Sequence, residues 1–259
     1  MLKTKLFKIL TESALIFHRE LLQSLRNRVW VVIGLMQPVL FLVFFGPLLT
    51  RITSIPGFPA RNAWQIFVPG LLVQLGLFSS AFVGFSLLED IRNGVVERMR
   101  VTPASRLALL MGRVARDAIV LLAQSGILLL VALPFGLTAA LPGLLVSMVL
   151  VVLTGISMAS LSYGAAMILK SEDSLAPMLN AITVPLLLLS GILLPMSLAP
   201  TWLFDLAHIN PFFYVVQALR SAFLGNFDSS NFVQGSVVSI LLTAVSILFG
   251  FATFMRENV

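Results

Sequence analysis

Residues Leu88–Arg113, LEDIRNGVVERMRVTPASRLALLMGR, decide the fold because they form a long polar stretch between two apolar runs of membrane-spanning length. Arginines recur from Arg92 to Arg116. Lys and Arg near the ends of spans resist translocation, so we expect this stretch to face the cytoplasm. Thr102-Pro103 is a suitable helix start, since Pro is tolerated in the first turn and Thr can cap it. The sequence therefore predicts a short helix, a corner and a second helix that continues into the next span.

The composition is that of an all-α membrane protein. Of the 259 residues, 58% are apolar and 11% are charged, and the mean hydropathy is +1.01. A soluble domain has roughly 25% charged residues. The net charge of +6 does not indicate nucleic-acid binding, because no foldable polar domain carries the basic residues as a stripe. The chain has no Cys, which excludes disulfides and thiolate metal sites.

Residues 1–28 have the pattern of an amphipathic helix. Apolar residues recur every three or four positions, at Leu6, Leu10, Ala14, Phe17, Leu21 and Leu25. Basic and polar residues occupy much of the remaining surface. The pattern predicts a basic interfacial helix on the inner leaflet. A helix packed on other protein is an equally good interpretation.

Six spans follow if each crossing takes roughly 20 apolar residues. They are expected near Val29–Leu49, Ile66–Leu88, Ala118–Ala140, Pro142–Leu169, Ala176–Pro195 and Ser236–Met255. With the N-terminus inside, all of the 17 Lys and Arg except Arg51, Arg61 and Arg220 lie on the cytoplasmic side. This bias predicts that both termini are cytoplasmic. The short connection around Thr138–Pro142 predicts a tight hairpin of spans three and four.

Residues 196–232, between spans five and six, are apolar but repeatedly broken. Breaks occur at Pro195, Pro200, Asn210-Pro211 and Gly225. The piece 211–224 is too short to cross, and apolar stretches of this length are typically interfacial or re-entrant. We expect two short helices that dip into the outer half of the bilayer. If the piece did cross, the C-terminus would lie outside.

Several functions are disfavoured by what the sequence lacks. No Lys follows a Gly, so the chain has no G-x-x-x-x-G-K-[ST] loop for ATP. The predicted span interiors contain no ionisable residue, which argues against a proton-coupled antiporter or ion pump and favours amphiphilic cargo. A membrane-embedded enzyme would need a cluster of His, Asp or Glu at one interface, and the sequence has none. Small residues in span four (Gly155, Ala159, Ser160 and Gly164) predict close helix packing, either within the subunit or between subunits.

Two groups of motifs resemble the type-2 ABC exporter permeases, notably the daunorubicin-resistance branch. The first is Glu89, Gly94, Glu97, Thr102-Pro103, Arg106 and Gly112-Arg113. The second is Leu189-Ser190-Gly191-Ile192-Leu193-Leu194-Pro195, then Trp202, Asn210-Pro211-Phe212 and Ala218-Leu219-Arg220. The similarity covers essentially the whole chain, which is expected to be a single transmembrane domain, residues 1–259. Val95 departs from the family, which often has a small or hydroxyl residue there.

The resemblance implies a dimeric permease, made with a second copy or a homologous permease and powered by a separate P-loop ABC ATPase. ATP and Mg would bind to that partner, with no cofactor or metal on this chain. The elbow (residues 89–113) would contain the helix that seats in the ATPase. Its expected coupling residues are Glu89, Gly94, Glu97, Arg98, Arg100, Thr102, Pro103 and Arg106.

Spans two and five are expected to line the translocation path, with Gln74, Ser79, Asn180 and Thr183 as its polar residues. Trp202, Asn210, Pro211 and Arg220 would mark the outer re-entrant segment near the exit. The resulting hypothesis is a non-enzymatic permease of a bacterial cytoplasmic membrane that exports amphiphilic small molecules or drugs. The alternatives are export of a glycan or lipid-linked substrate by the same machinery, and an ATP-independent channel or secondary transporter.

Overall fold

The computed structural model describes residues 2–26, 28–52, 62–94 and 106–256, with side chains at 11–24, 32–48, 62–94 and 108–256. This part of the chain is helical, with no strand. The α-helices are α1 (Leu2–Arg26), α2 (Arg28–Ile52), α3 (Trp64–Ala81), α4 (Gly84–Arg92), α5 (Arg106–Ala132), α6 (Leu141–Leu169), α7 (Glu172–Leu189), α8 (Thr201–Ala207), α9 (Pro211–Phe223) and α10 (Ser230–Arg256). Short 3₁₀ turns cover Leu133–Phe135 and Met196–Leu198.

Five helical segments in the described residues are long and apolar enough to cross a membrane. They are Trp64–Arg92, Ala108–Phe135, Leu141–Leu169, Glu172–Leu189 and Ser230–Arg256. They coincide with predicted spans two to six. The first predicted span lies within α2, where the described apolar part, Val32–Leu48, is shorter than a full crossing.

The third and fifth predicted spans differ from the helices in their bounds. The apolar run of the third was expected to begin at Ala118, whereas α5 begins at Arg106. This confirms the prediction that the second helix of the elbow continues into the span, with charged residues in the same helix as the apolar run. The fifth was expected to reach Pro195, but α7 ends at Leu189 because Gly191 adopts a left-handed φ of 73°. The predicted tight hairpin is confirmed, since residues 133–140 join α5 to α6.

The second predicted span is broken between α3 and α4 by a side chain from α6. Ser162 Oγ donates to Ala81 O and accepts from the Gly84 N–H at 3.0 Å. A hydroxyl inserted into the backbone ladder is a recognised cause of a kink. Gly84 permits the approach, because a Cβ there would lie 2.7 Å from Ser162 O. The break divides this membrane-length segment into α3 and α4.

The core forms around α3 and α6. Every residue of α3 from Ile66 to Leu77 is buried. The small residues of α6 pack within the subunit: a Cβ on Gly155 would lie 2.2 Å from Leu121 Cδ2, and one on Gly164 would lie 2.6 Å from Phe249 Cε1. These contacts give the α6 residues a packing role inside one chain.

The first helix, α1, packs along α5, as the second interpretation of residues 1–28 expected. A Cβ on Gly112 of α5 would lie 2.7 Å from the Ile16 side chain, so the two helices are in close contact. Leu15 and Leu22 lie on the exposed side of α1. Glu20, in contrast, is buried against α5.

The two short helices predicted after span five are confirmed as α8 and α9. Ten of the thirteen residues in α9 are buried, and this helix packs against α3, α6 and α10. A Cβ on Gly143 of α6 would lie 2.2 Å from Ala222 O, and one on Gly235 of α10 would lie 2.1 Å from Tyr214 O. The missing side chains of these glycines let α9 enter the bundle, which makes α9 part of the packed core.

Candidate functional site

A cluster of charged side chains lies where the two arms of the elbow meet α1 and α6. It comprises Glu20 of α1, Asp90 of α4, Arg113, Arg116 and Asp117 of α5, and Tyr163 of α6. We call these six residues the charge cluster. The helices α4 and α5 lead into and out of residues 95–105, so the cluster connects this part of the elbow to the helical bundle.

Arg113 is the centre of the charge cluster. Its side chain is fully buried, and Nη2 donates to Asp90 Oδ2 across the gap between α5 and α4. The same nitrogen lies 3.8 Å from Glu20 Oε1 of α1. Arg113 Nε and Nη1 have no hydrogen-bond partner among the described residues. One guanidinium therefore joins three helices through two carboxylates.

Arg116 and Asp117 extend the charge cluster toward α6. Arg116 Nη2 lies 3.9 Å from Glu20 Oε2, and Arg116 Nε lies 3.2 Å from Asp117 Oδ1. Tyr163 Oη donates to Asp117 Oδ2 at 2.6 Å, and both of these side chains are buried. Removing one member of a buried ion pair typically costs about 3–5 kcal/mol, because the other charge is left unpaired. The cluster therefore holds the four helices in one relative position.

A second ion pair joins α4 directly to α7. Arg92 Nη2 lies 2.9 Å from Glu172 Oε1; the Arg92 side chain is 69% exposed and that of Glu172 is 37% exposed. Glu172 is in the first turn of α7, where a carboxylate also interacts favourably with the helix dipole. Beneath this pair, Leu87 and Leu88 share an apolar cluster with α7 residues Leu175 and Leu179. The last turn of α4 and the first turns of α7 are thus fastened together.

Most of the predicted coupling residues are not placed by the structure. Glu97, Arg98, Arg100, Thr102 and Pro103 lie outside the described residues. Arg106 begins α5, and its side chain is also outside them.

The two remaining predicted coupling residues lie at the end of α4. Glu89 is exposed on this helix. Gly94 follows α4 with a φ of 66°, and its N–H donates to Ile91 O at 3.1 Å. A left-handed residue of this kind commonly ends a helix, and glycine adopts the conformation without strain.

The four predicted path residues lie on α3 and α7 and differ in their burial and hydrogen bonding. Gln74 and Thr183 are buried, and their polar side-chain atoms have no partner among the described residues. Ser79 Oγ donates to Gln124 Oε1 at 2.9 Å, which joins α3 to α5. Asn180 is exposed and Nδ2 donates to Ala176 O of its own helix at 3.0 Å. Within the described part of the chain, no hydrogen bond joins any two of the four.

The residues predicted for the outer segment have distinct structural roles. Asn210 Oδ1 accepts from the Phe212 N–H at 3.0 Å and caps α9, whose first residue is Pro211. Asn210 Nδ2 also donates to Leu186 O of α7 at 2.7 Å. Trp202 is exposed on α8, whereas Arg220 is buried within the bundle.

Most of the charge cluster could not be predicted from the sequence. Arg113 was expected only through the family resemblance, and Asp90 only as part of the polar stretch. One signal was present in the sequence: Glu20 lies beside Phe17 and Leu21 on the apolar side of α1. An acid on the apolar face of a helix indicates a buried partner, because burying an unpaired charge is costly.

The helical bundle with five membrane-length segments defines a multi-pass membrane protein. The chain belongs to the ABC-2 type transporter family, whose sequence pattern matches residues 11–224. It is thus the membrane component of an ABC transporter and is not itself an ATPase; permeases of this family normally work with an ATPase subunit.

Three similar proteins are named as permeases. The protein ycf38 of Cyanophora paradoxa, named as a transport permease, is 25% identical over 256 residues, covering 93% of this chain and 88% of the relative. Its counterpart in Porphyra purpurea is 24% identical over 251 residues, covering 91% and 85%. The daunorubicin resistance ABC transporter permease protein DrrB1 of Streptomyces coeruleorubidus is 24% identical over 163 residues, covering 62% and 58%.

Proposed function

We propose that this chain is the permease subunit of an ATP-driven exporter that moves an amphiphilic small molecule or drug out of the cytoplasm. It would cross a bacterial cytoplasmic membrane six times, with α2 as the first span and both termini cytoplasmic. Two copies, or one copy and a homologous permease, would enclose the path. A separate P-loop ABC ATPase would bind ATP and Mg, and this chain would bind neither.

The charge cluster is the observation that carries the proposal. It fastens α1, α4 and α5 together at the base of the elbow through ion pairs, and it joins α6 to them through the Tyr163–Asp117 hydrogen bond. A buried salt bridge is a weak source of stability, because desolvation offsets much of the attraction. A permease driven by a soluble partner needs a rigid connection between the elbow, which would contact that partner, and the membrane spans. The cluster fits this need because its charges fix the angle between the helices.

The elbow would receive the motion of the ATPase. Glu89, Gly94, Glu97, Arg98, Arg100, Thr102, Pro103 and Arg106 are the proposed docking residues. When ATP binding closes the ATPase dimer, the force would pass into α4 and α5 and then into the bundle. The Arg92–Glu172 ion pair gives α7 a direct connection to α4.

Helix α7 is suited to move in response. Only Leu175, Leu179 and Thr183 are buried along its length, and Pro177 and Pro185 lie inside it. Proline removes a backbone hydrogen bond and weakens the helix locally. In the proposal, α3 and α7 line the path, with Gln74, Ser79, Asn180 and Thr183 as its polar groups.

The cargo is proposed from the chemistry of the exposed surface and from one relative. The exposed face of α7 carries Ile182, Val184 and Leu188 beside Asn180, a surface on which an amphiphilic molecule would be favourably solvated. The name of DrrB1 associates that relative with daunorubicin resistance. Drug-like amphiphiles are therefore the first cargo to test.

Affinity purification from native membranes tests the ATPase partnership. The tagged wild-type chain should bring down a P-loop ABC ATPase. The double reversal Glu97→Arg with Arg98→Glu should lose it while the chain still inserts into the membrane. Arg256→Glu is a matched control, because Arg256 is an exposed arginine at the end of α10 and lies outside residues 89–113. Recovery of the wild-type chain without any ATPase, or ATP-independent flux through the purified chain, would overturn the exporter proposal.

A further inference from the structure

Arg220 is a buried arginine that joins three separate parts of the bundle. It lies near the end of α9, and its side chain is only 6% exposed. Arg220 Nε donates to Ile66 O, near the start of α3, at 3.1 Å, and Nη2 donates to Gly191 O, in the turn after α7, at 2.7 Å. A guanidinium is suited to this task, because its rigid fork presents donors to two acceptors at once.

The charge of Arg220 is held by backbone carbonyls. Among the described residues, no carboxylate forms an ion pair with it, and burial lowers its pKa to about 10. The guanidinium therefore remains charged at neutral pH. A buried charge that lost its hydrogen bonds would be strongly destabilised. The two carbonyls of Ile66 and Gly191 are thus expected to stay in contact with Arg220 as long as α9 is packed.

Close backbone contacts surround the same place. A Cβ on Gly70 of α3 would lie 2.2 Å from Ile192 O, so the turn after α7 lies directly on α3. Ile192 is fully buried in this contact. The Asn210 side chain adds a hydrogen bond from the start of α9 to Leu186 O of α7. The ends of α3 and α7 are therefore joined to each other and to α9.

We infer that Arg220 is a positioning residue that keeps the Gly191–Ile192 turn on the start of α3, so that the outer ends of α3, α7 and α9 move as one block during transport. The outer location of this block and its movement during transport rest on the proposed function. The contact of Arg220 and the Gly191–Ile192 turn with the start of α3 does not. If the block stays intact, cargo leaves along its exposed side, past the free face of α7. It does not leave between α3 and α9 of one subunit.

The buried Ile192 offers a direct reporter, because the natural chain has no Cys. Ile192→Cys in the full-length protein is treated with N-ethylmaleimide in native membranes, with and without ATP. In the otherwise wild-type chain the thiol should stay protected under both conditions. Arg220→Met should raise the labelling rate by about tenfold or more, as expected from losing at least one hydrogen bond to a charged donor. Arg220→Lys should give an intermediate rate, because one ammonium cannot reproduce the fork.

Two controls separate a local role from general stabilisation. Arg256→Met makes the same substitution at an exposed arginine and should leave Ile192→Cys protected. Leu87→Cys reports on the fully buried apolar cluster near the elbow and should stay protected in the Arg220→Met chain. The inference is wrong if Ile192→Cys stays protected without Arg220, if Leu87→Cys becomes equally reactive, or if ATP alone exposes Ile192→Cys. None of these readouts requires the ATPase partner or the cargo to be identified.

Discussion

The Arg113 guanidinium of α5 lies fully buried against the Asp90 carboxylate of α4, so the two helices that flank residues 95–105 are joined by an ion pair. Glu20 of α1 approaches the same guanidinium. The pairing fixes α4 and α5 relative to each other, because rotation of either helix would separate the guanidinium from its carboxylates. It also makes Arg113 the residue whose loss should disturb the most contacts at once.

Arg113→Met should destabilise the folded chain by about 3–5 kcal/mol, the range for removing one partner from a buried ion pair. The substitution keeps an unbranched side chain but leaves Asp90 and Glu20 without their shared cation. The effect is measured by heating the detergent-solubilised protein. Unfolding is monitored as the loss of the peak of monodisperse protein. Arg256→Met should unfold at the wild-type temperature. Equal unfolding temperatures for Arg113→Met and wild type would show that the pair contributes no net stability.

The exposed pair Arg92–Glu172 should affect coupling much more than stability. Exposed ion pairs are worth about 0–1 kcal/mol, so Arg92→Glu and Glu172→Arg should each unfold close to the wild-type temperature. If the pair passes motion from α4 to α7, each single variant should lower transport in vesicles that contain the ATPase. The double variant restores the opposite charges and should recover most of the transport. Failure of the double variant to improve on both single variants would remove the pair from the mechanism.

Gly235→Ala should be strongly unfavourable, although alanine is the better helix former by about 1 kcal/mol. The added Cβ would lie 2.1 Å from Tyr214 O, so α9 would have to move away from α10. Gly126→Ala is the matched control within a helix, since its nearest neighbour would be Met148 Cε at 3.7 Å. We expect lower unfolding temperature and yield for Gly235→Ala alone. Similar behaviour of the two variants would argue against the tight seating of α9.

The sequence was sufficient to predict the helices but only part of the contacts between them. Long apolar runs, prolines and the polar elbow predicted the membrane-length helices, the hairpin and the two short helices. The charge cluster could not be predicted because it forms between residues that are far apart in the sequence. Tyr163 forms a hydrogen bond with Asp117, and Glu20 forms an ion pair with Arg113. The tally of basic residues treated Arg220 only as a marker of sidedness. Its burial depends on Ile66, which is 154 residues away in sequence.

Asn210 should show two separable contributions, because its oxygen caps α9 and its nitrogen donates to α7. Asn210→Asp keeps the acceptor for the Phe212 N–H, but it places a carboxylate opposite Leu186 O and loses the donor. Asn210→Ala loses both contacts. Loss of an N-cap typically costs about 1 kcal/mol, and a lost neutral hydrogen bond costs a similar amount.

These two variants should therefore differ in which backbone amides exchange hydrogen faster. In Asn210→Asp, the start of α9 should stay capped, so hydrogen exchange at the Phe212 amide should not rise. The end of α7 loses its hydrogen bond from residue 210, so exchange should rise for the amides of α7 near Leu186. In Asn210→Ala, exchange should rise at both places, because neither contact remains. Asn180→Ala, which removes only a hydrogen bond within α7 itself, should change neither. Equal exchange at Phe212 in the aspartate and alanine variants would show that the side-chain cap does not hold the start of α9.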